Sequence, residues 1–125
     1  MIIGLGVDHV ENQRMKEILI KWSERVEDRV FTENELEYSR KMGETHLHLG
    51  ARFAAKEAFF KALGKGLSEG MSWTDVNVKN DKTGKPNIDL RGKAKEHAES
   101  MGVKNIHLSL THTDDFSIAV VILEK

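Results

Sequence analysis

The sequence predicts an α+β fold, with a mainly antiparallel sheet packed with a long central helix. Three observations lead there. Both ends of the chain are strand-like, with Met1–Val10 apolar and β-branched and two alternating segments at 106–111 and 117–123 joined by a polar turn. The middle is helical, dominated by an Ala-, Leu-, Glu- and Lys-rich run from Thr45 to Leu63. No repeat, low-complexity tract or linker divides the 125 residues, so residues 1–125 are expected to form one domain.

The elements follow in order. Met1–Val10, with Gly4 and Gly6, predicts a buried strand ending near Asp8. From about Asn12 to Val30, Met15, Leu19, Trp22 and Val26 recur at helical spacing and predict one amphipathic helix. Thr32 and Glu35 have the spacing of a capping box, so a short helix should follow to about Met42, ended by Gly43. Thr45–Leu63 is the longest helix, with Leu49, Phe53, Phe60 and Leu63 able to share a buried side and Gly64 placed as its terminator. Trp73–Lys79 alternates as a strand, Asn80–Pro86 has turn chemistry, and Asn87–Leu90 returns. Lys93–Met101 predicts a helix ending at Gly102, before the two closing strands and their turn Thr113-Asp114-Asp115.

Composition excludes several classes. With no cysteine there are neither disulfides nor thiolate metal ligands. The 19 basic and 20 acidic residues nearly cancel, which gives no electrostatic argument for nucleic acid. No apolar run approaches the roughly 20 residues that span a bilayer, and the start of the chain lacks a basic leader. The expectation is a cytoplasmic protein with no membrane and no nucleic-acid partner.

The candidate chemistry is spread along the chain. Asp8, expected where a buried strand meets solvent, is either a turn-former or a functional acid. Glu57 and Lys61 lie four apart on the long helix, as do Arg52 and Lys56. Each pair could be an ordinary surface ion pair, but Ala54-Ala55 and Phe59-Phe60 leave little of that helix free to face water. Carboxylates on two separate elements are the minimum donation for Mg²⁺, which keeps several waters and takes substrate phosphate oxygens, so Asp8 and Glu57 would serve if the fold joins them. His112, at a strand end beside Thr113, could donate to phosphate. His46 and His48, two apart on a predicted helix, do not share a face. Gly64-Lys65-Gly66 has neither the spacing nor the strand context of a Walker loop. On the first helix Arg14, Lys21 and Arg25 form a basic stripe around Ile18. That is either a solvated face or, on a nearly neutral protein, a dock for an acidic protein.

Together these segments resemble one family. Gly6-Val7-Asp8, with Arg14 six positions beyond the aspartate, resembles its opening signature, and ARFAAKEAFFKALGKG (51–66) matches its central R-F-A-A-K-E-A-x-x-K-A-x-G motif. Gly84-Lys85-Pro86 and SLTHTDDFSIAVV (109–121) match two later blocks in the right order. The chain is similar to the holo-acyl-carrier-protein synthases, the short bacterial-type 4′-phosphopantetheinyl transferases, from Ile2 to Val121. It departs at Thr111, where many members have serine, and at Ser117, where alanine is commoner.

The resemblance implies the family's fold. It also implies transfer of 4′-phosphopantetheine from coenzyme A to a serine of apo acyl carrier protein for fatty acid synthesis, releasing adenosine 3′,5′-bisphosphate. Asp8 and Glu57 match its Mg²⁺ ligands, and Lys61 matches the lysine at the pyrophosphate. Arg52 and His112 match coenzyme A phosphate contacts, while Gly64, Pro86, Ser109 and Thr113 match positions around the nucleotide. Arg14 matches a carrier-docking residue, which would give the stripe with Lys21 and Arg25 its partner. The family also implies a homotrimer with sites between subunits, where Arg52 or Pro86 would serve a neighbour. The general base stays open between Glu57 and a water on the metal. A coenzyme-A-binding module without turnover, or a metal-dependent phosphohydrolase, would use many of the same residues.

Overall fold

A computed structural model describes all residues 1–125. Its organising element is α4, Thr45–Leu63. Ala54, Ala55, Ala58 and Phe59 are fully buried on it, so the helix is enclosed around most of its circumference. Small alanines let its neighbours approach closely, and the closest is β1, Ile2–Glu11. A Cβ on Gly6 would collide with the carbonyl oxygen of Ala58, and one on Gly4 with that of Ala62. Only glycine permits this strand to lie so near the helix backbone.

β1 pairs antiparallel with β5 (Phe116–Glu124), and β5 with β4 (Asn105–His112), so β5 is central in a three-stranded sheet. In register, Asp8 lies beside Ala119 and then Leu110, on the face that α4 covers. Val7, Val120 and Ser109 form the adjacent row, on the opposite face. A second antiparallel pair, β2 (Val76–Asn80) with β3 (Pro86–Leu90), makes a separate two-stranded sheet. Val76 and Val78 of β2 join Phe59, Val121 and Leu123 in the main core. A smaller core gathers Val30, Phe31, Leu36 and Leu49. No helix is long and apolar enough to cross a membrane.

The α+β class and antiparallel pairing are as expected, though in two sheets rather than one. α4 and the α3 (Glu33–Lys41) capping box also match, with Thr32 Oγ1 accepting from Glu35 N at 3.2 Å and Thr32 N donating to Glu35 Oε1 at 2.8 Å.

Three expectations are corrected. β1 is half-buried: Asp8 is 8% exposed whereas Leu5 and Val7 are 64% and 56% exposed, and pairing with β5 continues past Asp8 to Glu11. The expected helix Asn12–Val30 is two, α1 (Asn12–Trp22) and α2 (Glu24–Val30). The break is at Ser23, whose φ of 43° and ψ of −125° redirect the chain so that Val30 and Phe31 reach the second core. Arg25 therefore lies on a different helix from Arg14 and Lys21, although it still borders one groove with Ile18 and another with Lys21. The expected strand Trp73–Lys79 begins as a 3₁₀ turn, Trp73–Asp75. There the Asp75 carboxylate accepts from Ser72 Oγ at 3.0 Å and from Ala94 N of α5 (Gly92–Ser100) at 3.2 Å.

Candidate active site

The close approach of β1 to α4 brings three of the expected residues together. Lys61 Nζ donates to Asp8 Oδ1 at 2.8 Å and to the Val7 carbonyl at 3.2 Å, although the two residues are 53 apart in sequence. Glu57, one turn before Lys61, faces the same corner. Its carboxyl is pushed up to about 7, first by burial and then by the neighbouring Asp8 carboxylate, against the opposing effect of Lys61. The Asp8 hydrogen bond holds the Lys61 ammonium above its ordinary range.

Asp8 Oδ2 is buried with no hydrogen-bond partner. Two converging carboxylates, one oxygen unsatisfied and one group reluctant to ionise, have the chemistry of a site for a hard cation. No set of three or more His, Asp or Glu side chains converges anywhere in the chain. Such a site therefore suits an ion that takes its remaining ligands from water and substrate, as Mg²⁺ does. Beside the corner, α4 and the segment after it frame a cleft of about 480 Å³, with Glu57, Lys61 and Gly64 against Phe60, Leu67 and Trp73. Gly64 closes α4 in the left-handed region, φ 81°, which turns the chain along the cleft edge.

Other expected residues gather elsewhere. Arg52 is only 3% exposed. Its guanidinium lies 4.3 Å from the Tyr38 ring and donates to Asn80 Oδ1 at 2.6 Å and to the His48 carbonyl at 3.3 Å, leaving Nε unpartnered. Asn80 pairs with Pro86, so Arg52 and Pro86 share this second grouping. His48 adjoins it, lowered by burial and by the charges of Arg52 and His112, which puts His112 at the same edge. Ser109 lies on the sheet face opposite Asp8, and the structure does not bring it to the carboxylates within one chain. Thr113 caps the β4–β5 turn, its Oγ1 accepting from Phe116 N at 3.1 Å. Arg14 and Lys21 are exposed on α1 and Arg25 on α2, where Arg25 borders an apolar groove of Ile18, Trp22 and Val26.

Two arrangements escaped the sequence reading. Lys56 and Glu35, both fully buried, form an ion pair at 2.8 Å behind α4. The capping-box spacing had marked Glu35, but nothing local told of its second partner. Asn12, 1% exposed, donates from Nδ2 to the carbonyls of Thr113 and Asp114 at 3.0 and 3.2 Å and accepts from Ser117 Oγ at 2.7 Å. Its position at the start of the first expected helix gave no hint of a clamp across 101 residues.

The chain and its fold have counterparts. Residues 4–121 match the family model of the 4′-phosphopantetheinyl transferase superfamily. The chain is 43% identical to the holo-[acyl-carrier-protein] synthase of Syntrophus aciditrophicus (strain SB), over 99% of this chain and 97% of that protein. The crystal structure of the holo-[acyl-carrier-protein] synthase from Neisseria meningitidis superposes with a TM-score of 0.91 at 33% identity, over the full length of both chains. That of the Bacillus anthracis synthase, in complex with CoA (3′,5′-ADP), does so with 0.80 at 33% identity, over 98% of this chain and 96% of that one. The chain therefore belongs to the 4′-phosphopantetheinyl transferase superfamily. Within it, its relatives are the holo-[acyl-carrier-protein] synthases.

Proposed function

We propose that the chain transfers 4′-phosphopantetheine from coenzyme A to a serine hydroxyl of apo acyl carrier protein, releasing adenosine 3′,5′-bisphosphate and readying the carrier for fatty acid synthesis in the cytoplasm. The observation that carries this reading is the meeting of Asp8, Glu57 and Lys61 at one corner beside an apolar cleft. Asp8 and Glu57 would hold Mg²⁺, which when bound neutralises charge on the pyrophosphate.

The serine oxygen forms a bond to the phosphorus that carries the pantetheine. The bond from that phosphorus to the bridging pyrophosphate oxygen breaks, and adenosine 3′,5′-bisphosphate leaves. Lys61, with its ammonium held protonated by Asp8, donates to the departing phosphate. The serine proton passes to a water beside Glu57, because a carboxylate committed to a cation is a poor base. Arg52 and His112 hold coenzyme A phosphates, with Gly64, Pro86, Ser109 and Thr113 around the nucleotide. Since Ser109 and Asp8 occupy opposite faces of one sheet, a complete site draws on two copies of the chain in a homotrimer. Arg14, Lys21 and Arg25 receive the acidic carrier.

The test is intact mass of an apo carrier protein after incubation with the chain, coenzyme A and Mg²⁺. A gain of one phosphopantetheine is expected, abolished by EDTA. Coenzyme A cleavage with an unmodified carrier would instead mean a hydrolase, and binding without either change a non-catalytic module. Glu57→Gln should lower turnover by at least about 10²-fold, the scale of losing one group that organises charge in a transition state. Normal turnover in that variant removes Glu57 from the mechanism.

A further inference from the structure

The Lys56 ammonium has three protons and three acceptors, all inside the protein. It donates to Glu35 Oε1 at 2.8 Å, to the Trp73 carbonyl at 3.1 Å and to the Val76 carbonyl. Glu35 is equally committed, with Oε1 also accepting from Thr32 N at 2.8 Å and Oε2 accepting from Val78 N at 2.7 Å. The pair thus joins the start of α3, the middle of α4, the 3₁₀ turn and β2. Replacing a buried ion pair with apolar side chains is often neutral for stability, so stability alone does not account for this one. What an apolar pair could not do is aim two carbonyls. The carbonyls of Trp73 and Val76 flank the point where the 3₁₀ turn becomes β2; the Trp73 carbonyl also accepts from Val76 N, so Lys56 braces the turn's own closing bond.

Trp73 is also a wall of the cleft. Its ring lies 5.0 Å from Phe53 and 5.8 Å from Phe60, and it faces the space shared with Glu57 and Lys61. Lys56 and Glu57 are neighbours in sequence but point to different sides of α4, the first to β2 and the second to Asp8. One turn of one helix therefore sets both the phosphate-holding corner and the apolar wall facing it.

We infer that Lys56, with Glu35, is a positioning residue for the coenzyme A thiol arm. It holds Trp73 at the distance from Lys61 that lets the arm lie in the cleft while its pyrophosphate meets Asp8, Glu57 and Lys61. This rests on the transferase reading above. The arm suits the cleft chemically, since its dimethyl and methylene groups match Phe60, Leu67 and Trp73.

The experiment compares the full-length chain with Lys56→Met/Glu35→Gln, which removes both charges together, and with Trp73→Leu, which removes only the wall. The expected result is a rise of about tenfold in KM for coenzyme A in both variants, with kcat and the KM for the carrier protein changed less than about threefold. A Trp22→Phe background leaves Trp73 as the sole indole. In it, coenzyme A should change the Trp73 emission, and the Lys56/Glu35 variant should need about tenfold more coenzyme A for half the change. A purely structural pair would lower the folded fraction, and with it kcat, while both coenzyme A readouts kept the parent values; that result overturns the proposal. If the double variant fails to fold, an unchanged coenzyme A KM in Trp73→Leu is sufficient to overturn it. A parent chain that neither binds coenzyme A nor modifies the carrier sinks the transferase reading and this one together, whereas failure of the positioning role alone leaves the parent's transfer intact.

Discussion

Glu57 is the residue whose physical state differs most from its free form. Its carboxyl, pushed up to about 7 by burial first and Asp8 next, binds its proton more tightly in the folded chain than at the ordinary value of 4.5. Tighter proton binding by the folded state favours folding only while the proton is on. The contribution is therefore fully present below about pH 4.5 and is lost as the pH rises through about 7. The metal-free chain in EDTA should lose melting temperature between about pH 5 and about pH 7.5, and Glu57→Gln should flatten that loss because an amide does not titrate. Adding Mg²⁺ at the upper pH should restore the parent's melting temperature and leave that of the variant nearly unmoved. Parallel pH profiles for the two chains would show that Glu57 does not feel Asp8 as described. Lys61, more than half exposed, gives little stability by its ion pair, and its replacement should be felt in turnover instead.

At the scale of elements, the site depends on how closely β1 and α4 approach. Gly6→Ala would drive a methyl into the Ala58 carbonyl and push the strand from the helix. A loss of about 1–3 kcal/mol in denaturant unfolding is expected, with transfer falling further than stability because Asp8 and Glu57 separate together. A variant as stable and active as the parent would deny the close approach its role. Asn12→Ala removes the side-chain clamp on the Thr113–Asp115 turn, leaving only the backbone bond from Asn12 N to the Asp115 carbonyl at 2.8 Å, and should cost about 1–3 kcal/mol, since two carbonyls and the Ser117 hydroxyl lose their partner.

These same elements show what could be read from local signals. α4 was legible from Thr45 to Leu63 because composition, periodicity and a terminating glycine agree within one segment. The α3 start was legible because Thr32 and Glu35 carry their reason in their own spacing. The break at Ser23 was not, because Met15, Leu19, Trp22 and Val26 keep helical spacing across it and no glycine or proline marks it. Trp73–Asp75 resembled the start of a strand because the alternation from Trp73 onward hides a turn whose aspartate is held by a helix nearly 20 residues on. Asp8, Glu57 and Lys61 were each nameable from motifs, but their meeting depends on Gly4 and Gly6 admitting a helix that the sequence does not otherwise join to the strand. The Lys56–Glu35 pair was illegible for the same reason: each residue has an ordinary local explanation, and only packing brings them together.

At the scale of the whole molecule, the sheet has two unlike faces. The inner face lies under α4. The outer carries Leu5 and Val7 of β1, both more than half exposed, in rows with Ile122 and Val120 of β5 and with His107 and Ser109 of β4. Apolar side chains on two paired strands, β1 and β5, are a costly surface to leave in water and a natural one for association. That face also carries Ser109, which one chain cannot bring to its own Asp8. Assembly and a complete coenzyme A site are therefore one requirement in the trimer proposed above.

Val7→Lys places a charge in the middle row of that face without touching α4 or Asp8's side of the sheet. In sedimentation velocity at micromolar concentration the parent should run as a trimer and the variant as a monomer. The variant should keep the parent's far-ultraviolet circular dichroism. Its transfer rate should fall by at least about tenfold, the scale expected when binding contacts to one substrate are lost. Raising the protein concentration should recover part of the rate if the charge only weakens association, because assembly follows mass action. A Val7→Lys monomer with full turnover would mean that each chain completes its own site, and Ser109 would then have no part in it.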